Sequence, residues 1–328
     1  MADKIYAYSS SPHVKNARTT KHIMIDVCIA LLPACTMGVV YFGINAFLIL
    51  LLSLLSAVVA EFVYLLIVGK NFKTIVKQFD FSSCVTGLLI GMVLGPQTPL
   101  YVPVLASVFA IIVVKMLFGG TGKNLVNPAI TGRIFVFMSF TSVLASGWIN
   151  PSIGAIFGGS SLNPETGATI LTDSFALGTA SLHPLDLFLG TGLVGCIGET
   201  CKVALILGGL YLALRGVINI LYPVIYIAVT GLFAVCLNGF DFATFLPSIL
   251  SGGLVLGAIF MATDYTTTPN TTLGNVVYFI LLGLVTAGLR QATKMEVVSF
   301  AILLMNLVVP LIDKFIIPKP FGYKPEKK

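Results

Sequence analysis

Two short stretches and a few charges inside apolar runs are where this sequence could do chemistry. The run Gly119-Gly120-Thr121-Gly122-Lys123-Asn124-Leu125-Val126-Asn127-Pro128-Ala129 is a glycine-rich turn entering a helix, with Pro128 near the first helical position. Such a turn exposes backbone N–H groups and holds anions. Gly120, Asn124, Asn127 and the nearby Arg133 are its candidate cofactor contacts. The spacing of a nucleotide phosphate loop is absent, and a structural re-entrant loop accounts for the same residues. The second stretch is Asn163-Pro164-Glu165-Thr166-Gly167-Ala168-Thr169. By residue type alone it is a surface turn, with Pro164 fixing φ, Gly167 permitting positive φ and hydroxyls on either side.

The charges come next. Asp26, Glu61, Lys115, Glu199 and Lys202 lie within apolar runs, and Asp264 at the end of one. A charge in lipid is costly and marks either pairing or function. Asp26 sits early in the first run, where it can snorkel to the boundary. Glu199 and Lys202 are three residues apart, so on one helix they share a face and can pair. Asp264 precedes Thr266-Thr267-Thr268-Pro269, whose carbonyls and hydroxyls offer oxygen ligands to a small cation. It is read either as a helix-end cap, as a partner for Lys123, or as a Na⁺ ligand. Asp264, Glu199 and Glu61, in that order, are the candidates for ion translocation.

Positioning these residues falls to apolar helices. Of 328 residues 57% are hydrophobic and only 10% are Asp, Glu, Lys or Arg, against roughly 25% charged in a soluble domain. This excludes an ordinary soluble enzyme, a disordered regulator and a secreted disulfide scaffold. Runs of about 17–25 apolar residues mark spans. Ten are predicted, at 23–42, 46–68, 82–97, 100–118, 129–147, 185–214, 217–236, 246–262, 274–289 and 296–317. The sixth is long, and its six glycines allow a kink, a tilt or a split. The expected organisation is a tail over 1–22, a first membrane half over 23–147, a loop over 148–184, a second half over 185–317 and a tail over 318–328. The polar start and the long first run do not fit a cleavable signal peptide. The six cysteines form no C-x-x-C pair and read as small core residues.

The net charge of +6 would suggest nucleic acid in a soluble protein; in a membrane protein it orients the chain. Basic residues crowd both tails and the loop carrying Lys70, Lys73 and Lys77, with Lys123, Arg133 and Arg215 on the same side. The positive-inside rule puts that side in the cytoplasm. The 148–184 segment, which has no Lys or Arg, then faces outward. Arg290 and Lys294 go against the rule.

The two halves also resemble each other. Gly87 and Gly91 in the third span align with Gly253 and Gly257 in the eighth, and a Thr/Pro-rich break follows each copy. Five spans per half invert the second half relative to the first, an arrangement that builds sites between interrupted helices. The expected fold is therefore all-α and polytopic, with about ten transmembrane helices in two inverted five-helix repeats.

Asn163–Thr169 resembles the flavinylation motif D-x-x-[ST]-G-A-T, whose last Thr is esterified by the phosphate of FMN. Asn163 stands where the motif usually has Asp, and the Gly167-Ala168-Thr169 core is intact. Ser9-Ser10-Ser11-Pro12-His13, Gly119–Arg133 and Met261-Ala262-Thr263-Asp264 likewise look like the family of the D subunit of the Rnf electron-transport complex, which includes the B subunit of the sodium-translocating NADH:quinone oxidoreductase. This resemblance, over nearly the whole chain, implies FMN esterified to Thr169 on the outer face. It also implies, in the quinone-reductase relatives, a second, non-covalent riboflavin. It implies neighbouring subunits, one of them carrying FMN, a flavin transferase for maturation, and electron transfer between ferredoxin and NAD coupled to Na⁺ or H⁺ transport. Thr169 is an attachment point in this reading, and no residue is assigned as catalytic. The competing readings are a small-solute transporter or channel with inverted repeats and a scaffolding membrane subunit. Nucleic acid is not an expected partner.

Overall fold

The computed structural model describes residues 19–145, 188–190, 195–293 and 295–317. The motif residues Asn163, Thr166, Gly167, Ala168 and Thr169 and the whole 148–184 segment lie outside the described residues, as do 1–18 and 318–328.

Among the described residues every regular element is helical. Helices α1 (Thr20–Phe42) and α2 (Ile44–Ile67) are 23 and 24 residues long, enough to cross a bilayer. Gly43 reverses the chain between them at φ 74 while its N–H still closes α1 on Val39. The short α3 (Phe72–Gln78) leads to α4 (Ser82–Met92). Helix α5 (Tyr101–Phe109) runs on into a π-helical stretch, Ala110–Met116. Asn127 caps α6 (Pro128–Ser139), with Pro128 at its first position, where no intrahelical N–H is lost. Then come α7 (Thr141–Ala145), α8 (Lys202–Leu214), α9 (Leu221–Leu237), α10 (Phe245–Leu250) and α11 (Leu254–Leu256), which continues π-helically over Gly257–Met261. Helices α12 (Thr272–Thr293) and α13 (Val298–Phe315) follow.

Four helices, α1, α2, α12 and α13, are long and apolar enough to cross a membrane, and α10 and α11 make one bent pair with a 65° angle. Large apolar side chains stand exposed along them, among them Leu32, Phe47, Leu55, Leu304 and Leu311. The protein is a multi-pass membrane protein, and lipid is the solvent these faces suit.

Several elements differ from expectation. The third span ends at Met92, five residues early, because the chain turns over 93–98. The described part of the sixth is helical only from Lys202 and irregular over 195–201, the split that its glycines allow. The eighth is broken at Ser251–Gly253. Arg133 lies within α6 and Arg290 within α12, both turned inward, so neither is a loop charge that orients the chain. The paired glycines also have unlike surroundings. Gly87 and Gly91 bring α4 against the α2 backbone at Leu54, Ser53 and Leu50, whereas Gly253 faces Glu199 and Gly257 faces Val298.

Helix α1 packs on α8, α2 on α4 and α5, α9 on α10 and α12, and α6 on α13. The bundle has a near end, where α1 begins, and a far end, where α1 turns into α2. Asp26 at the start of α1 meets Arg215 and Tyr211 at the end of α8, which ties the near end together. Asp26 is therefore buried and paired, not snorkelling. At the far end the Ile197 N–H bonds the Leu94 carbonyl at 3.1 Å.

Candidate functional site

The near end is built around Lys115. Its π-helical stretch turns the side chain inward, where Nζ donates to Glu61 Oε1 of α2 at 2.9 Å and to Ser82 Oγ, the first residue of α4, at 2.6 Å. Ser82 Oγ donates to Asp80 Oδ1 at 2.6 Å and lies 3.1 Å from Thr121 Oγ1 of the glycine-rich turn. A hydrogen-bonded chain thus leads from Glu61, deep in the helices, to Asp80 at their edge. Burial alone would raise the Asp80 carboxyl, but the hydroxyls of Ser82 and Thr121 and the Lys115 charge outweigh it and hold it below the usual range. The second oxygen of Glu61 is buried without a partner among the described residues.

Asn127 joins the halves: Oδ1 accepts from the Ala129 N–H at 3.0 Å, and Nδ2 donates to the Met261 carbonyl at 3.2 Å. Lys115, Asn124, Asn127, Asp264 and Thr266 line a pocket of about 90 Å³ beside it. The side-chain oxygen of Asn124 is buried there without a partner among the described residues. Asp264 folds into a local turn in which Thr266 donates to its carboxylate from Oγ1 at 3.0 Å and from N at 3.3 Å. Thr268 Oγ1 donates to the Asp264 carbonyl at 3.1 Å. Each carboxylate oxygen of Asp264 thus accepts one bond from Thr266 within the turn. Gly120, at φ 90 with open space around its Cα, is a turn residue.

Arg133 does not join this group. It lies six residues into α6 from Asn127, about 9 Å along the axis, and points to the far end. Its Nη1 donates to Ser299 Oγ at 2.8 Å, and its Nη2 lies 3.7 Å from Cys196 Sγ. It lines a cavity of about 260 Å³ with Ile134, Phe137, Leu144, Glu296 and Phe300. The Phe137 and Phe300 rings meet edge to face. Behind this cavity lies a buried charge cluster. Glu199 sits in the turn before α8, so it and Lys202 do not share a helix face. Lys202 gives its ammonium to the Glu199 backbone carbonyl and, at 3.4 Å, to the Gly252 carbonyl. Arg290 donates to the carbonyls of Ser248 at 2.7 Å and Ser251 at 3.2 Å, and to Glu296 Oε2 at 3.4 Å. These cations satisfy the carbonyls freed where α10 ends, groups that α-helix geometry leaves open. Among the described residues no set of three or more His, Cys, Asp or Glu is arranged to hold a metal ion.

Comparison with known proteins gives the family of the chain. The model of the NQR2, RnfD, RnfE family matches residues 7–322. The chain belongs to the NQR2, RnfD, RnfE family. Within this family it is 38% identical, over 98% of its length and 96% of the relative's, to the D subunit of the Na⁺-translocating ferredoxin:NAD⁺ oxidoreductase complex of Acetobacterium woodii. It is 37% identical, over 97% and 96%, to the D subunit of the proton-translocating ferredoxin:NAD⁺ oxidoreductase complex of Clostridium ljungdahlii. The D subunit of the ion-translocating oxidoreductase complex of Stutzerimonas stutzeri is 33% identical over 92% and 91%.

For this member of the NQR2, RnfD, RnfE family the sequence points to the relevant segments but not to their pairings. Glu296 carries no signal, since it opens the tenth span beside the polar Arg290–Lys294 stretch and looks like a boundary charge. The Glu61–Lys115 pair spans 54 positions, and no spacing rule brings such residues together.

Proposed function

We propose that this chain is the FMN-carrying membrane subunit of an ion-translocating ferredoxin:NAD⁺ oxidoreductase complex. The similarity that carries the reading is the match over 98% of the chain to the D subunit of such a complex. In this proposal FMN is esterified to Thr169, with Asn163, Thr166, Gly167 and Ala168 forming the motif read by a flavin transferase. Electrons pass to and from neighbouring subunits, one of which also carries FMN. The membrane halves are inverted repeats of five spans each. The near end and both termini are cytoplasmic, and the 148–184 loop and the far end face outward.

The described residues fit a flavin. The far-end cavity offers apolar walls and two aromatic rings to a planar ring system, and a guanidinium to its acceptor edge. When bound, FMN supplies one- and two-electron transfer. The chain's own part is to exclude water with Ile134, Phe137, Leu144 and Phe300 and to offset negative charge with Arg133. The proposal extends to riboflavin at the near end. There the pocket of about 90 Å³ shares Val217, Ile218, Thr263 and Tyr265 with a second of about 280 Å³, and Asn124 and Asn127 supply amides.

The proposed ion is Na⁺ or H⁺, since the relative from Acetobacterium woodii belongs to a Na⁺-translocating complex and that from Clostridium ljungdahlii to a proton-translocating one. Glu61, Glu199 and Asp264 remain the proposed translocation residues, with Asp264 weakened by its bonds to Thr266.

Intact mass of the subunit, purified after co-expression with a flavin transferase, tests the flavin attachment. The expected result is a mass increase of one esterified FMN and a fluorescent band on a denaturing gel, both lost in Thr169→Ala. An unmodified mass in the unaltered chain overturns it.

A further inference from the structure

Buried Glu199 and largely buried Glu296 of the far-end cluster have unfinished coordination of the same kind. Glu199 Oε2 accepts from the Cys196 N–H at 3.4 Å, and Glu296 Oε2 accepts from Arg290 at 3.4 Å. The remaining oxygen of each, Oε1, is buried without a partner among the described residues. Glu199 is only 3% exposed.

Both bare oxygens face one place. A Cβ built on Gly253 would lie 2.5 Å from Glu199 Oε1 and 3.5 Å from Glu296 Oε1. A Cβ on Gly252, at φ 64, would collide with Glu296 Oε2. The glycine pair at the helix break therefore leaves the space into which the two carboxylates converge. Ser251 Oγ, next in the chain, is also buried and unpartnered among the described residues.

Two bare anionic oxygens do not converge in a low-dielectric interior without something between them. Carboxylates that share a site share a proton, because one of the pair cannot ionise beside the other. The cluster's cations do not fill this role. Lys202 and Arg290 are directed at the carbonyls of Glu199, Ser248, Ser251 and Gly252, and Arg133 at Ser299 and Cys196. Arg290 reaches Glu296 only at its other oxygen.

We propose that Glu199 and Glu296 hold one exchangeable proton between their Oε1 atoms at the Gly252–Gly253 break. Glu296 also lines the far-end cavity, so this proton exchanges with the cavity through Glu296. Arg133, on the same cavity wall, links the pair's charge to whatever charge the cavity receives. The site rests on the proposed function only for its role in ion coupling; the shared proton does not require bound flavin.

Infrared difference spectroscopy of the membrane-embedded complex, recorded across a pH step in H₂O and again in D₂O, tests the site. The expected result is a protonated-carboxyl C=O band that shifts in D₂O and disappears in both Glu199→Gln and Glu296→Gln. Subunit incorporation and flavin fluorescence of each variant show whether it has folded. Asp313→Asn, which alters a carboxylate at the near end, should assemble and keep the band, and so separates loss of the site from a general effect of removing a carboxylate. A band that survives in either folded Gln variant overturns the shared proton. A band abolished by added Na⁺ at fixed pH also overturns it, and assigns the space to Na⁺. Failure of the flavin reading would instead show as missing fluorescence in the unaltered complex with this band intact.

Discussion

Lys115 and Glu61 form an ion pair inside the helices, 2.9 Å apart, with side-chain exposures of 2% and 9%. The pair locks the π-helical end of α5 to α2, and Ser82 extends it to α4. Lys115→Met leaves a buried carboxylate without its cation and is expected to cost about 3–5 kcal/mol. Glu61→Gln together with Lys115→Met should recover much of that loss. Denaturation of the detergent-solubilised protein in a double-mutant cycle gives the coupling directly. Equal and additive losses from the two single changes would mean that the pair does not act as a unit.

The contact between α1 and α8 depends on Gly208, where an added methyl would run into the Ala30 carbonyl. Gly208→Ala should cost about 1–3 kcal/mol, the range for overpacking. Gly288, also helical, has open space around its Cα, and Gly288→Ala should be neutral or stabilising by up to about 1 kcal/mol. Thermal unfolding midpoints of the two variants, read side by side, check the contrast.

Asp80 makes the near end sensitive to acid. Its folded carboxyl is held below the ordinary value, so its contribution is fully present above that value. The contribution is lost as pH falls through the lower, folded one. Asp80→Asn should flatten the acid limb of the stability profile and leave the limb above neutral pH unchanged. Unfolding midpoints measured across the acid range would show this, and an unaltered acid limb would mean that other carboxyls set it.

Much of this architecture is legible in the sequence because lipid imposes a simple rule: long apolar runs become helices. The helices at α1, α2, α12 and α13 follow the predicted spans closely. The glycines of the sixth span signal a break, but not that it falls on the turn holding Glu199, since Gly195-Cys196-Ile197-Gly198 is apolar enough to pass as helix. Hydropathy registers side chains, whereas this segment is set by backbone bonds from Ile197 and Gly198 to Leu94 and Met92. Of the candidate site, Asn127 and Arg133 stand out in the sequence as one group, and the structure separates them. Their positions on one helix place them at different depths, and only the packing of α13 shows which end Arg133 serves. Glu296 becomes visible only in the structure, through its bond to Arg290 and the space that Gly253 leaves in front of it.

The break at Ser251–Gly253 also bears on how the protein is made. A segment that enters the bilayer with open carbonyls at Ser248 and Ser251 is not a stable span by itself. The groups that satisfy those carbonyls are on Arg290, about forty residues later in translation. Stable placement of α10 and α11 in lipid is therefore expected to depend on α12, which carries Arg290.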